Sequence, residues 1–174
     1  MAHHEAGHVL ALVTLGYSFR KATVRTMRES LANATRGDDG RWWYWRGGVD
    51  APDILPPDLT PERLAACNQL QQIPGWQAKA EHHAVVTLAG PVAQARYSKV
   101  RLATLLGQSA EHGDRAEADD VLSTWFGEDT PTAFGRALCR ARALVNTAEG
   151  WAAIQDVAVR LLDAGEITKD PISE

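Results

Sequence analysis

Two histidines four positions apart, with a glutamate directly after the first, have the clearest chemical potential in this sequence. His4-Glu5-Ala6-Gly7-His8 fits the pattern HExxH. On a helix, positions i and i+4 differ by only about 40° around the axis, so His4 and His8 project from one face and can bind one Zn²⁺. Glu5 then lies close enough to take a proton from a metal-activated water as general base. This chemistry is typical of peptide hydrolysis.

A catalytic zinc ion needs a third protein ligand and leaves a fourth position open for water. The extension HExxHxxGxxH is absent, because Ala11 and Thr14 stand where its glycine and third histidine would be. Asp114 is the best remaining candidate, since it begins a predicted helix directly after Gly113. The alternatives that stay open are Glu29, Glu81, Glu111, Glu117, Asp119, Asp120, His82, His83 and His112.

Helices predominate among the elements that must position these side chains. Apolar residues on one side of 2–15, followed by Gly16, predict a helix that carries the HExxH motif. Thr60-Pro61 and Thr130-Pro131 are typical of helix starts, because proline is tolerated at the first helical position. The further helices expected are 61–72, 76–97 with a candidate kink at Gly90-Pro91, 114–125, 130–146 and 151–164.

Strand signals are fewer and lie in one part of the chain. Partial alternation over 19–28 and the aromatic run at 42–45, closed by Gly47-Gly48, predict a strand pair around a loop at 30–40. The tryptophans of this run are either a substrate-binding edge beside the metal or, more simply, packing in a core or an oligomer contact. The tryptophans concerned are Trp42, Trp43 and Trp45.

Together, these elements predict a fold that is mainly α with a small β-sheet, in a single domain over 1–174.

Composition excludes several function classes. A formal net charge of −4 argues against a nucleic-acid partner or an anionic membrane surface. The sequence contains neither an apolar run of about 20 residues nor a secretory signal pattern. Cys67 and Cys139 lie far apart and form no CxxC pair, so a reducing cytoplasm is the expected location.

Three segments resemble the peptidase domain of the FtsH-type AAA zinc proteases, in the same order along the chain. Residues 2–8 are similar to that family's zinc-binding helix with HEAGH, and residues 85–94 to its apolar helix with LAGRxAE. Residues 107–119 are similar to its glycine-containing loop and the helix that follows, and residues 154–167 weakly resemble its last helix. The resemblance implies an FtsH-peptidase-like helical zincin domain in which Asp114 is the third zinc ligand.

The departures from that family shape the functional expectation. No G-x-x-x-x-G-K-[ST] motif is present, so the ATPase motor of the family is missing, and Pro91 and Gln94 replace its arginine and glutamate. We therefore expect an ATP-independent zinc metallopeptidase acting on short, unfolded or delivered polypeptides, as a homo-oligomer or with a separate delivery partner. The alternatives are a catalytically silent binding or scaffold protein that keeps the metal site and, more weakly, a hydrolase of non-peptide amides.

Overall fold

The computed structural model describes residues 1–36, 42–43, 46–51, 75–108 and 113–168. Most of these residues are helical, which confirms the predicted class of a mainly α protein with a small sheet. The helices are α1 (Ala2–Thr14), α2 (Met27–Ala32), α3 (Trp76–Ser98), α4 (Leu102–Gln108), α5 (Asp114–Phe126), α6 (Thr130–Asn146) and α7 (Ala148–Ala164), with a 3₁₀ turn at Gly127–Asp129. The predicted helix 61–72 lies outside the described residues.

The central sheet has three antiparallel strands. Its order is β4 (Gly47–Asp50), β1 (Lys21–Val24) and β5 (Glu166–Thr168), and Ala22 lies opposite both Val49 and Ile167. A separate pair joins β2 (Thr35–Arg36) to β3 (Trp42–Trp43). Trp45 and the side chains of the aromatic run lie outside the described residues.

Several predicted boundaries in this part of the chain are wrong. The strand expected over 19–28 ends at Val24, because Thr26 and Glu29 form a capping box that starts α2 within the residues assigned to strand and loop. Gly47-Gly48 does not close a strand but begins β4. The predicted pairing is also wrong: β1 pairs with β4 and β5, whereas β3 of the aromatic run pairs with β2, which lies inside the expected loop at 30–40. Elsewhere in the chain, strand β5 and the short helix α4 have no counterpart in the prediction.

Helix α3 is the centre of the helical packing. It contacts α1, α5 and α6, and its middle is lined by small or branched residues that are almost fully buried. A Cβ added to Gly7 of α1 would lie only 2.5 Å from the backbone oxygen of Ala89, so the two helices cross with their backbones in close approach. Helix α3 continues through Gly90-Pro91, where the sequence suggested a kink.

One large apolar cluster connects α1, α3 and the later helices to the inner side of the central sheet. Its largest fully buried side chains include Leu88, Leu122, Ile154 and Leu161. Burial of such side chains is the main favourable term in folding, about 1.5–3 kcal/mol for each. Because α3 packs against both α1 and α5, it fixes the position of these two helices relative to each other.

No helix in the described part of the chain is both long enough and apolar enough to cross a bilayer.

Candidate metal centre

Helices α1 and α5 bring two imidazoles and one carboxylate together. His4 Nε2 lies 3.2 Å from one oxygen of Asp114, and His8 Nε2 lies 3.6 Å from the other. Their potential ligand atoms all fall within 4.8 Å of one another, and the three side chains are half-buried. The structure thus juxtaposes the three metal ligands that the sequence predicted, although 106 to 110 residues separate Asp114 from the histidines.

Helix α3 fixes the orientation of both imidazoles. His8 donates from Nδ1 to the backbone oxygen of Val86 over 2.8 Å, and His4 donates from Nδ1 to Oε1 of Gln94 over 2.9 Å. A neutral imidazole that donates from Nδ1 keeps its lone pair on Nε2. Both Nε2 atoms are therefore oriented toward Asp114 as donors to a cation, an arrangement common around metal-binding histidines.

A turn at Gly113 positions Asp114, and the neighbouring histidines lower the pKa of its carboxyl group. Gly113 has φ 107°, a left-handed conformation that side chains rarely adopt, and α5 begins with the next residue. Burial by itself would raise the pKa of Asp114. When the imidazoles are protonated rather than neutral, the hydrogen bond from His4 and the positive charges of His8 and His4 outweigh burial, and they lower this pKa below its ordinary value. Asp114 thus offers an anionic oxygen donor at neutral pH.

Glu5 is the most deeply buried acid at this site, at 3% exposure. Burial raises the pKa of Glu5 to about 7; the charge of His8 opposes this rise and that of Asp114 adds to it. A carboxylate with such a pKa can accept a proton from water and release it again near neutral pH. The buried state of Glu5 therefore fits the role of general base that its place in the motif predicts.

Strand β4 forms a wall against the Glu5 side chain. A Cβ built on Gly47 would lie 2.4 Å from Glu5 Oε1, whereas a Cβ on the neighbouring Gly48 would meet nothing within 4 Å. Only glycine at position 47 leaves the carboxylate where it is. Sequence reasoning missed this residue, because Gly47-Gly48 looked like the end of a strand.

Most of the other acids and histidines considered as ligands have different partners, and Asp120 is exposed and lies outside the donor group. Among the described residues, the one group of at least three potential metal donors is the one formed by His4, His8 and Asp114. Glu29 caps α2, Glu81 pairs with Arg136, and Asp119 pairs with Arg115. Glu117 contacts His83 over 2.8 Å, and His82 contacts the Tyr17 hydroxyl over 3.1 Å. Glu111 and His112 lie outside the described residues.

The site also includes Val86, Gly90 and Gln94, and their regular spacing is visible in the sequence. They repeat every four residues along α3, and therefore lie on one helix face, just as His4 and His8 do on α1. In the sequence, Gln94 stands out only as a departure from the pattern of the FtsH-type family. Its hydrogen bond to His4 gives it a structural role.

Gln94 gives a first testable prediction. Gln94→Leu removes the acceptor that orients His4, so zinc affinity is expected to fall by about 10–100-fold, as is usual for the partner of a metal-binding histidine. Gln94→Glu keeps an acceptor and is expected to retain zinc affinity. Competition with a chromophoric chelator measures both variants. Equal affinity in Gln94→Leu and the unmodified protein would show that this hydrogen bond does not support the site.

Comparisons with protein-family models, with curated proteins and with solved structures found no match to this chain.

Proposed function

We propose that this protein is a zinc-dependent metallopeptidase with an FtsH-peptidase-like fold. It hydrolyses peptide bonds in unfolded or delivered polypeptides without an ATPase motor of its own. The observation that carries this proposal is the convergence of His4, His8 and Asp114, with the buried Glu5 on the same helix as both histidines. A cytoplasmic location, without a nucleic-acid partner, belongs to the proposal on the grounds of cysteine content and net charge.

The donor set suits zinc, which accepts two imidazoles and one carboxylate and keeps an open position in catalytic sites. His4 Nε2, His8 Nε2 and one or both oxygens of Asp114 would hold the ion. When bound, zinc supplies Lewis acidity that activates water and polarises a carbonyl. Because the two Nδ1 atoms are already engaged by α3, the imidazoles are oriented for an ion before it binds.

Glu5 carries the proton in the proposed reaction. Its carboxylate accepts a proton from the attacking water, whose oxygen bonds to the peptide carbonyl carbon. As the C–N bond breaks, Glu5 returns this proton to the departing amine. Protein atoms enclose the Glu5 side chain, and this enclosure raises the basicity of the carboxylate toward that needed at neutral pH.

The direct test is hydrolysis of unfolded casein and of a peptide library by the zinc-loaded full chain. We expect cleavage that a chelator abolishes and one equivalent of zinc restores. A protein that binds one equivalent of zinc but cleaves no polypeptide would contradict the proposal and favour the scaffold alternative. Cleavage that persists after complete zinc removal would show that this site is not the catalytic one.

A substitution at Gly47 should disturb the proposed base, Glu5, and leave the candidate metal ligands unchanged. In Gly47→Ala the new Cβ must displace the Glu5 carboxylate, since it would lie 2.4 Å from Oε1. A displacement of about 1 Å can lower activity by roughly 100-fold. We expect a fall in kcat of that size with unchanged zinc affinity, measured by steady-state kinetics and by chelator competition.

Gly48→Ala is the matched control, one position along the same strand. Its Cβ would enter open space, and neither glycine has a positive φ that alanine would strain. We expect Gly48→Ala to keep full activity. If the two variants are equally active, Gly47 does not set the position of Glu5.

A further inference from the structure

Gly90 lies next to the two candidate zinc-binding nitrogens, which are the Nε2 atoms of His4 and His8. It sits in the middle of α3, one turn after Val86 and one turn before Gln94, and these two residues hold the imidazoles by their Nδ1 atoms. A Cβ built on Gly90 would lie 2.4 Å from His8 Nε2, 2.5 Å from His8 Cε1 and 2.9 Å from His4 Nε2. Even a methyl group at this position would collide with both rings.

The φ angle of Gly90 gives no reason for a glycine here. Gly90 has no positive φ, and glycine is the least favourable residue in a helix interior after proline. Pro91 follows directly, so the two poorest helix formers stand together within a helix of 23 residues. Alanine has the higher intrinsic helix propensity, but its Cβ would also approach the ring of Pro91, so α3 by itself does not strongly favour either residue at position 90.

Helix packing does not explain Gly90 in the way it explains Gly7. The atom nearest to a Cβ on Gly7 would be a backbone oxygen, that of Ala89, at 2.5 Å. For Gly90 the three nearest atoms all belong to the imidazoles of His4 and His8. What excludes a side chain at position 90 is therefore the pair of candidate metal ligands.

We propose that Gly90 is a positioning residue of the metal centre: the missing Cβ lets both Nε2 atoms converge on one ion above α3. This inference rests on the metal site of the proposed function but not on peptide hydrolysis. A side chain at position 90 turns one or both imidazoles away from Asp114, while α3 itself stays helical.

Zinc affinity of the full-length chain tests this directly. We expect Gly90→Ala to bind zinc at least about 100-fold more weakly in chelator competition. The substitution disturbs both candidate histidine ligands, whereas loss of an outer hydrogen-bond partner affects only one. Gly135→Ala is the matched control, because Gly135 is an exposed glycine of α6 with nothing within 4 Å of its added Cβ. That variant should bind zinc as the unmodified chain does. Unchanged affinity in Gly90→Ala would overturn the inference.

Thermal unfolding without metal gives a second test that needs no activity. In a background with His4→Ala and His8→Ala, Gly90→Ala meets no imidazole, so only its contacts within α3 should change the unfolding midpoint. With both histidines present, the same substitution should lower the midpoint by several degrees more than it does in that background. An equal change in both backgrounds would overturn the inference, and so would failure to fold in both.

These outcomes separate the inference from the proposed function. If no variant cleaves any polypeptide but Gly90→Ala loses zinc affinity, the peptidase proposal is wrong and the positioning role stands. If the unmodified chain cleaves casein and Gly90→Ala binds zinc normally, the reverse holds.

Discussion

Glu5→Gln is expected to lower kcat for polypeptide cleavage by about 10²–10⁴-fold, the usual contribution of a general acid–base group. Glutamine has nearly the same shape, so it keeps the packing against Gly47, but its amide cannot accept the proton of water. None of the three candidate metal ligands is altered, and zinc affinity should therefore stay within a few-fold. Steady-state kinetics on unfolded casein, together with chelator competition, measure both quantities.

Glu29→Gln is the control for this substitution. Glu29 is exposed at the start of α2, and glutamine can replace glutamate in a capping box. This variant should cleave at the normal rate. Cleavage by Glu5→Gln at the same rate as Glu29→Gln would exclude Glu5 as the base.

The stability of the metal-free protein gives Glu5→Gln a readout that is independent of activity. Burial raises the pKa of Glu5 from 4.5 to about 7, so the native state binds more protons than the unfolded state between these two values. The contribution of Glu5 to the free energy of unfolding therefore falls as pH rises through that window. The full destabilisation caused by burying the ionised carboxylate is present above about pH 7. Glu5→Gln should raise the unfolding midpoint at pH 8 more than at pH 5.

The sequence predicted the site better than it predicted the sheet. HExxH fixes a helix and a shared face by itself, so α1 and the roles of His4, Glu5 and His8 follow from local spacing. Asp114 is far away in the chain, and it was favoured by its position after Gly113 and by a family resemblance. Its contacts with both histidines in the structure agree with that choice.

The errors in the prediction of the sheet have local and non-local causes. Thr26 and Glu29 form a capping box that the sequence displays, but the partial alternation over 19–28 was given more weight. Strand β5 has only three residues and exists because β1 offers it an edge. A strand of this kind depends on tertiary pairing more than on its own pattern.

The supporting residues could not be assigned from the sequence alone. The four-residue spacing of Val86, Gly90 and Gln94 gains meaning only when α3 is known to lie against the histidine face of α1. Gly47 depends in the same way on how β4 packs against α1. Helix α1 supplies two of the candidate ligands and the proposed base, whereas α3, α5 and β4 determine whether these three side chains can act together.

The last ligand therefore decides whether the histidine pair can hold a metal ion. Asp114→Asn keeps the shape of the side chain but removes its negative charge, and we expect zinc affinity to fall by more than about 100-fold, beyond the usual effect of losing an outer hydrogen-bond partner. Asp120→Asn on the same helix is the control, because Asp120 is exposed and lies outside the donor group. Isothermal titration of zinc into each variant gives the affinities.

The pH dependence of the same titration tests the charge assigned to Asp114. Its pKa is lowered by the hydrogen bond with His4 and by the histidine charges, which outweigh the effect of burial, so the carboxylate is already ionised in mildly acidic solution. Zinc then displaces no proton from Asp114 in mildly acidic solution. We expect Asp114 to add nothing to the fall of zinc affinity with decreasing pH in this range, so that the affinity ratio between Asp120→Asn and Asp114→Asn stays constant there. A ratio that shrinks in mildly acidic solution, or an Asp114→Asn variant that binds zinc as tightly as Asp120→Asn, would mean that an ionised Asp114 does not complete the site.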